Sequence, residues 1–475
     1  MEKENDINRG RSNKGGGIAE NILAFLDASV TKDTQDANDD RIAFLEAVFA
    51  ASIVPESGFP PTNKMSEAVF QILRLGKSLE LIMASFQLLN ELDKRYPWVY
   101  FPNSSSSASL DLVVVKEAWL PFVLGLGTND SEREAAHKKS GATLDSSGFH
   151  LLIQDIAAVA GEEKFQALDT KSLGSMLLFQ YLVNVLEADI LPRNSVYEET
   201  MNWALLRESL LNVLLGSRKL NYKGLVRDCL TIICGLCQIQ SAFSNDKICL
   251  ENYMAKPSDS CDTAVAIALP EIGQNTCIAI QKLLILIMEL DISKQKADMK
   301  GLTTRADGVR TPLVEVILDE LTYNKGLLSP FLQVFNEPKW KLDIILQYFW
   351  KYIAKPSIRT RRSTDFVDDE TFNGALKCFS NGSSTKGIIK RIGIKEIQLL
   401  LAHGYKAQLL LLSEQCPAEA ISDSKEDVRG NSLVEISKNM ISAFNSLRRT
   451  DECMEISSYV KEAVFTAATL LSKMS

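Results

Sequence analysis

The chain has 475 residues, 46% of them apolar and 24% charged, with a formal net charge of −8. That length exceeds the roughly 250–300 residues over which one compact core keeps growing, so the chain has to divide or elongate. The acidic balance excludes a protein whose whole surface binds nucleic acid and leaves room only for a local cationic patch.

In chain order, residues 1–17 read as a disordered tail, polar and ending in Gly15-Gly16-Gly17. They lack the apolar run of a signal peptide, and no later apolar run reaches the ~20 residues of a membrane span. Helices are predicted over 18–29 and 41–53, the second with Asp39 and Asp40 at its positive end and Ile42, Leu45, Val48 and Phe49 facing inward. The loop Pro55–Pro61 precedes a helix capped at Thr62 or Asn63, and 76–78 separates it from a helix over 79–96. The aromatic connector Pro97–Pro102 is expected to pack across helix ends. Residues 103–111 and 128–147 read as flexible insertions, and 112–119 as helix despite the β-branched Val113, Val114 and Val115. Helices follow over 149–159, 168–187, 196–216 and 225–239, then an irregular insertion at 243–270 and a helix over 271–290.

The block Gly301–Arg362 carries three more helices and their punctuation. Thr311 and Pro312 suit an N-cap followed by proline at the first helical position, with Leu313, Ile317 and Leu321 on one face. Asn324-Lys325-Gly326 reads as a stop that uses a left-handed glycine. A short helix over 328–335 follows, and a third restarts at Asn336-Glu337-Pro338. Its apolar face holds Trp340, Ile344, Ile345, Tyr348, Phe349 and Tyr352, up to a stop at Pro356. Beyond lie a helix over 369–379, a turn at 380–386, an apolar helix over 394–412, an insertion at 413–431, and helices over 432–447 and 456–474. Some fifteen short helices with almost no period-two alternation predict an all-α fold. Their antiparallel succession predicts an irregular helical-repeat (HEAT/armadillo-like) solenoid, one elongated domain over 18–475.

The sequence assembles no catalytic set. Cys229, Cys234, Cys237 and Cys277 sit in apolar helical runs, as reduced core cysteines do. Cys234 and Cys237 form a C-x-x-C without the second close pair of a structural zinc site. His137, His150 and His403 lie in unrelated segments, His137 solvated and His403 a helix-end residue. No nucleophile, base and orienter come together. The glycine pairs lack the Lys-Ser/Thr of a phosphate loop, and Asp319-Glu320 and Asp368–Glu370 read as solvated faces. The expectation is therefore no enzyme, no cofactor and no metal. One constellation stands out: Arg359, Arg361 and Arg362 past one helix end, and Lys386, Lys390, Arg391 and Lys395 past a turn. Brought together, they form a cationic patch for an acidic partner, nucleic acid or nuclear import; the alternative is scattered solvated side chains and helix caps.

Several stretches are similar to one known family. They are Val54–Met65 (VPESGFPPTNKM), Leu79–Tyr100, Pro192–Trp203 (PRNSVYEETMNW) and Met288–Asp298 (MELDISKQKAD). Thr304–Pro312 (TRADGVRTP), Ile317–Tyr323, Leu332–Leu342 (LQVFNEPKWKL) and Lys355–Arg362 (KPSIRTRR) complete the set. They resemble the plant negative regulators of systemic acquired resistance, inducible suppressors of the salicylic-acid co-activator mutant, over most of the chain from about Asp33. The match departs around Ser104–Asp145 and Phe243–Pro270. The resemblance implies a non-catalytic nuclear helical-repeat scaffold that restrains defence-gene transcription and homologous recombination. It implies an element-six-like subunit of the five/six-type structural-maintenance-of-chromosomes complex, with an element-five-like protein partner. Contact with DNA would be indirect, with no membrane and no small-molecule substrate. It supplies no catalytic residues. The alternative is a direct DNA-binding repressor that uses the basic patch.

Overall fold

A computed structural model describes residues 35–102, 112–124, 143–161, 169–245, 260–352, 371–380, 382–414, 423–451 and 454–474. The described residues are mostly helical, with only two two-residue strands among them, so the all-α expectation holds. Where the sequence reading has one domain over 18–475, the chain forms two compact units. The first holds Met1–Ile232 and Ile239–Val309, the second Ile233–Gln238 and Arg310–Ser475.

The first unit opens with α1 (Gln35–Ser52), α2 (Asn63–Leu75) and α3 (Leu79–Arg95). Thr62 accepts from the Met65 backbone N–H and is the N-cap of α2. In α1, Phe44, Leu45 and Val48 are buried, whereas Ile42 is half-buried and Phe49 is 43% exposed, so the inward face is rotated from the predicted one. No helix forms over 112–119; Val113–Val114 is a short strand and the rest is turn and irregular backbone. β1 (Val99–Tyr100) pairs antiparallel with β2 (Val113–Val114), with Val99 opposite Val114 and Tyr100 opposite Val113. Three successive β-branched residues favour the extended state once a partner edge is present. The predicted insertion at 103–111, the tail 1–17 and the helix over 18–29 lie outside the described residues. So does most of 128–147, but Ser146 already begins α4 (Ser146–Gly161) and is buried.

The unit is built around α5 (Thr170–Thr200), which packs against α9 (Ser260–Met299), α3, α4 and α2. Both long helices run through a proline, Pro192 in α5 and Pro270 in α9. Proline normally marks a boundary because it forgoes one backbone bond and crowds the preceding turn. The sequence reading has a helix that stops at 187 and an irregular loop over 243–270, the latter from its polar residues and Pro257. Packing on several sides outweighs that cost in α5. Leu173, Met176, Phe179, Leu182 and Leu186 are buried along its length. By length and composition α5 could cross a membrane, but 78% of its most apolar window is buried within the protein. It is a core helix. At its end Met201 takes a left-handed conformation, φ 55°, and the chain breaks into α6 (Trp203–Arg207) and α7 (Leu210–Gly216), where one helix over 196–216 was expected. Next comes α8 (Tyr222–Asn245), so the ends of the predicted 243–270 insertion are helical; 246–259 lie outside the described residues.

The second unit begins with α10 (Leu313–Tyr323), one residue later than predicted, with extended Pro312 at the cap position. Leu313, Ile317 and Leu321 are all buried. Gly326 does not take a left-handed conformation; it sits in a 3-10 turn over Lys325–Leu327 that leads directly into α11 (Leu328–Val334). α12 (Pro338–Tyr352) buries Trp340, Ile344, Ile345, Tyr348 and Phe349, with Tyr352 half-buried. α13 (Phe372–Lys377) is followed by α14 (Gly382–Ile392), which replaces the predicted turn at 380–386. Gly393, at φ +110°, breaks α14 from α15 (Ile394–Glu414), a backbone that glycine alone adopts without strain. α16 (Asp423–Thr450) covers much of the predicted insertion at 413–431, and α17 (Ser458–Met474) closes the unit. The core forms around α15, which packs on α12, α17, α11 and α16, while α16 and α17 pack on each other.

Candidate functional site

The described residues hold only part of the predicted basic patch. Arg359, Arg361 and Arg362 lie outside the described residues. Lys386 and Lys390 are one turn apart on α14 and both exposed, and Lys395 is exposed at the start of α15. Arg391 is also exposed, but its Nη1 donates to the Tyr352 carbonyl at 2.8 Å, at the C-terminal end of α12. The helix-cap alternative thus describes Arg391. Lys386, Lys390 and Lys395 are solvated cations without an acidic partner among the described residues.

Three of the stretches that carry the family resemblance meet in the first unit. Tyr197 donates its hydroxyl to the Ser293 carbonyl at 2.8 Å, and Ser293 Oγ donates to Asn194 Oδ1 at 3.0 Å. Asn202 caps α6, and Trp203 stacks edge-on against Tyr197 and donates Nε1–H to Asp307 Oδ1 at 3.0 Å. Asp307 also closes a capping box with Thr304. Burial works against its charge, yet the bonds from Thr304 and Trp203 hold its carboxyl below the usual carboxylate range. Lys294 donates to the carbonyls of Asp307 and Gly308, and Lys296 pairs with Glu198 at 2.9 Å. PRNSVYEETMNW, MELDISKQKAD and TRADG therefore form one polar junction that joins the ends of α5 and α9 to the 3-10 turn over Arg305–Asp307. Its roles are structural, because its donors and acceptors satisfy one another.

Two of the cavities place a buried titratable group against a tyrosine. One, of about 640 Å³, lies within the first unit and is lined by Pro60, Tyr96, Trp98, Tyr100, Trp119 and Tyr181 around Asp93. Asp93 has no cationic partner among the described residues, and burial pushes its carboxyl up to about 7. The Tyr181 hydroxyl beside it has no partner that meets hydrogen-bond geometry. Because the folded state holds this proton beyond the pH at which an unfolded aspartate ionises, Asp93 lowers stability progressively from about pH 4 to about 7. The Asp93→Asn variant should therefore unfold at higher denaturant than the parent at pH 7.5 and at nearly the same concentration at pH 3.5. Chemical-denaturation curves at the two pH values check this.

The second cavity, of about 290 Å³, lies within the second unit and is lined by Gln333, Asn336, Lys341, His403, Lys406 and Tyr459, with Pro338, Ala407 and Leu410 beside them. His403, expected at a helix end, stands in the middle of α15, 3% exposed. Its ring stacks on Tyr459 with centroids 4.2 Å apart, and Nδ1 shares a 3.0 Å hydrogen bond with the Tyr459 hydroxyl. Burial, then Lys341 and Lys406, hold the imidazole down at about 3, so His403 is neutral at physiological pH and a poor general base. Lys406 lies 3.9 Å from the Tyr459 ring centroid and pairs with Glu462 at 3.0 Å. Lys341 has no acidic partner among the described residues, and burial followed by Lys406 lowers its ammonium to about 8. Sequence reading missed this cluster, since its members come from three helices far apart in the chain.

The other titratable candidates carry no activated group. Cys234 and Cys237 are free thiols one turn apart on α8; burial pushes Cys234 up to about 12 and also raises Cys237, the opposite of an activated thiolate. His150 Nε2 lies 3.5 Å from Asp228 Oδ2 without hydrogen-bond geometry. Among the described residues no group of three His, Cys, Asp or Glu side chains could hold a metal ion. His137 lies outside them.

Fold and side chains together define, among the described residues, an all-α protein of two helical units with polar junctions and clefts. A model of the SNI1 middle domain matches residues 98–337, and a model of the SNI1 C-terminal domain matches residues 353–475. The negative regulator of systemic acquired resistance SNI1 of Arabidopsis thaliana is 46% identical over 469 residues, which cover 98% of this chain and 97% of that protein. The chain belongs to the SNI1 family of negative regulators of systemic acquired resistance. No solved structure matches it.

Proposed function

We propose that this protein is a negative regulator of systemic acquired resistance that acts in the nucleus as a non-catalytic helical-repeat scaffold. It represses defence-gene transcription and restrains homologous recombination by holding protein subunits of the five/six-type structural-maintenance-of-chromosomes complex, including an element-five-like partner. The observation that carries this reading is the 46% identity to the Arabidopsis regulator over nearly the full length of both chains. The character of the side chains agrees with it. His403 is held neutral, the described thiols at 229, 234 and 237 are raised, and the exposed cations of α14 and α15 are solvated. The test is affinity purification of the tagged full-length protein from plant nuclei, with co-purifying proteins identified by mass spectrometry. Enrichment of chromosome-complex subunits over an untagged control is expected; their absence from a soluble, folded preparation contradicts the scaffold role.

A further inference from the structure

We propose that the His403 cleft of the second unit is a carboxylate-binding site that receives an acidic side chain from a peptide segment of a protein partner. Three elements build the site. α12 supplies Lys341, α15 supplies His403 and Lys406, and α17 supplies Tyr459 and Glu462, while Gln333 and Asn336 add amides at the edge. The charge balance names the ligand. Glu462 already answers Lys406 at 3.0 Å, and Tyr459 covers the Lys406 ammonium with its ring, which leaves Lys341 as the half-buried cation without a counter-ion among the described residues. One uncompensated positive charge calls for one negative charge, which a carboxylate carries at neutral pH.

The imidazole completes the arrangement. The simplest use of the bond between Tyr459 and His403 has the hydroxyl donating to Nδ1, which places the ring proton on Nε2, a nitrogen without a protein partner among the described residues. A neutral imidazole N–H and a lysine ammonium are then both available as donors to one carboxylate, and a charge-assisted bond to Lys341 is the stronger of the two. Burial makes these donors effective, because competing water is partly excluded. The walls indicate a peptide and not a free metabolite. About 290 Å³ holds one acidic side chain, and Leu410, 50% exposed, with Pro338 and Ala407 forms an apolar rim for the residues on either side. A free lysine charge held half-buried opposes folding, as binding residues often do. The site does not depend on which complex the protein joins.

The test is an NMR titration of the full chain, with labelled His403 ring signals followed as Ac-Leu-Glu-Leu-NH2 is added, in parallel with its glutamine counterpart and inorganic phosphate. Saturable His403 shifts with the glutamate peptide, at least ~10-fold weaker with the glutamine peptide, are expected, since a charge-assisted pair is worth about a factor of ten or more. The Lys341→Met variant should lose the response while melting no lower than the parent, because it removes an uncompensated buried charge. A purely structural lysine would instead lower the melting temperature when replaced. Equal responses to both peptides, saturation by phosphate alone, or no saturable shift would each overturn the proposal.

Discussion

Replacing Asp189 with alanine should destabilise the protein by about 3–5 kcal/mol, the usual consequence of stranding one member of a buried ion pair. Asp189 is fully buried on α5. Its Oδ1 accepts from Arg193 Nε at 2.6 Å, and its Oδ2 accepts the Leu210 backbone N–H at the start of α7. Arg193, 4% exposed, also donates to the Leu205 carbonyl at 3.2 Å, and its guanidinium lies 5.6 Å from the Trp98 ring centroid. The ion pair therefore ties together α5, α6 and α7 across the break at Met201, the carboxylate reaching α7 and the guanidinium α6. Without it the guanidinium keeps its charge in a site with no counter-ion. Urea unfolding followed by circular dichroism reads the loss directly. The double variant Asp189→Leu/Arg193→Met should recover part of it, because no charge is then stranded and only the Leu210 N–H and the Leu205 carbonyl lose their partners. Equal stability of single and double variants would remove the ion pair from the explanation.

Gly404→Ala should lower stability by about 1–3 kcal/mol, against the ordinary expectation for a helical glycine. Alanine is normally better than glycine inside a helix by roughly 0.5–1 kcal/mol, because it loses less backbone freedom on folding. On α15, however, a Cβ at position 404 would stand 2.5 Å from Cε2 of the buried Phe372 ring. α13 and α15 approach closely here, and the ring, packed in the core, has little room to retreat. Gly387 on α14 is the contrast: a Cβ there meets nothing within 4 Å, and its φ is not positive. Gly387→Ala should therefore stabilise by about 0.5–1 kcal/mol. Opposite signs for the two variants in thermal melts would establish close packing at Gly404, and the same sign would refute it.

Much of the fold is legible in the chain because helical periodicity survives locally. Leu313, Ile317 and Leu321 face inward as their spacing requires, and Thr62 caps the helix it precedes. Errors arose where a distant contact decided a local choice. Pro192 and Pro270 mark helix ends on local rules, yet both sit inside long helices. The strand at Val113–Val114 needed Val99–Tyr100 as its partner, and two residues cannot display an alternating pattern by themselves. The clefts were less legible still. His403 gained its character from Lys341, Lys406 and Tyr459, and Asp93 from aromatic residues between 96 and 181. Sequence reading fixed instead on clustered cations, and of those described, Arg391 serves a helix end. The family stretches were recognisable as text, but their shared junction through Asn194, Trp203, Ser293 and Asp307 emerges only from the packing of α5 on α9.

The most direct measurement is complementation. The full-length chain is expressed in Arabidopsis plants that lack their own SNI1-family regulator, and basal defence-gene transcripts are quantified. Transcripts that return to wild-type levels are the predicted result, with the Asp189→Ala protein restoring repression poorly in proportion to its reduced folded abundance. Transcripts that stay elevated while the folded protein accumulates in the nucleus would contradict the account.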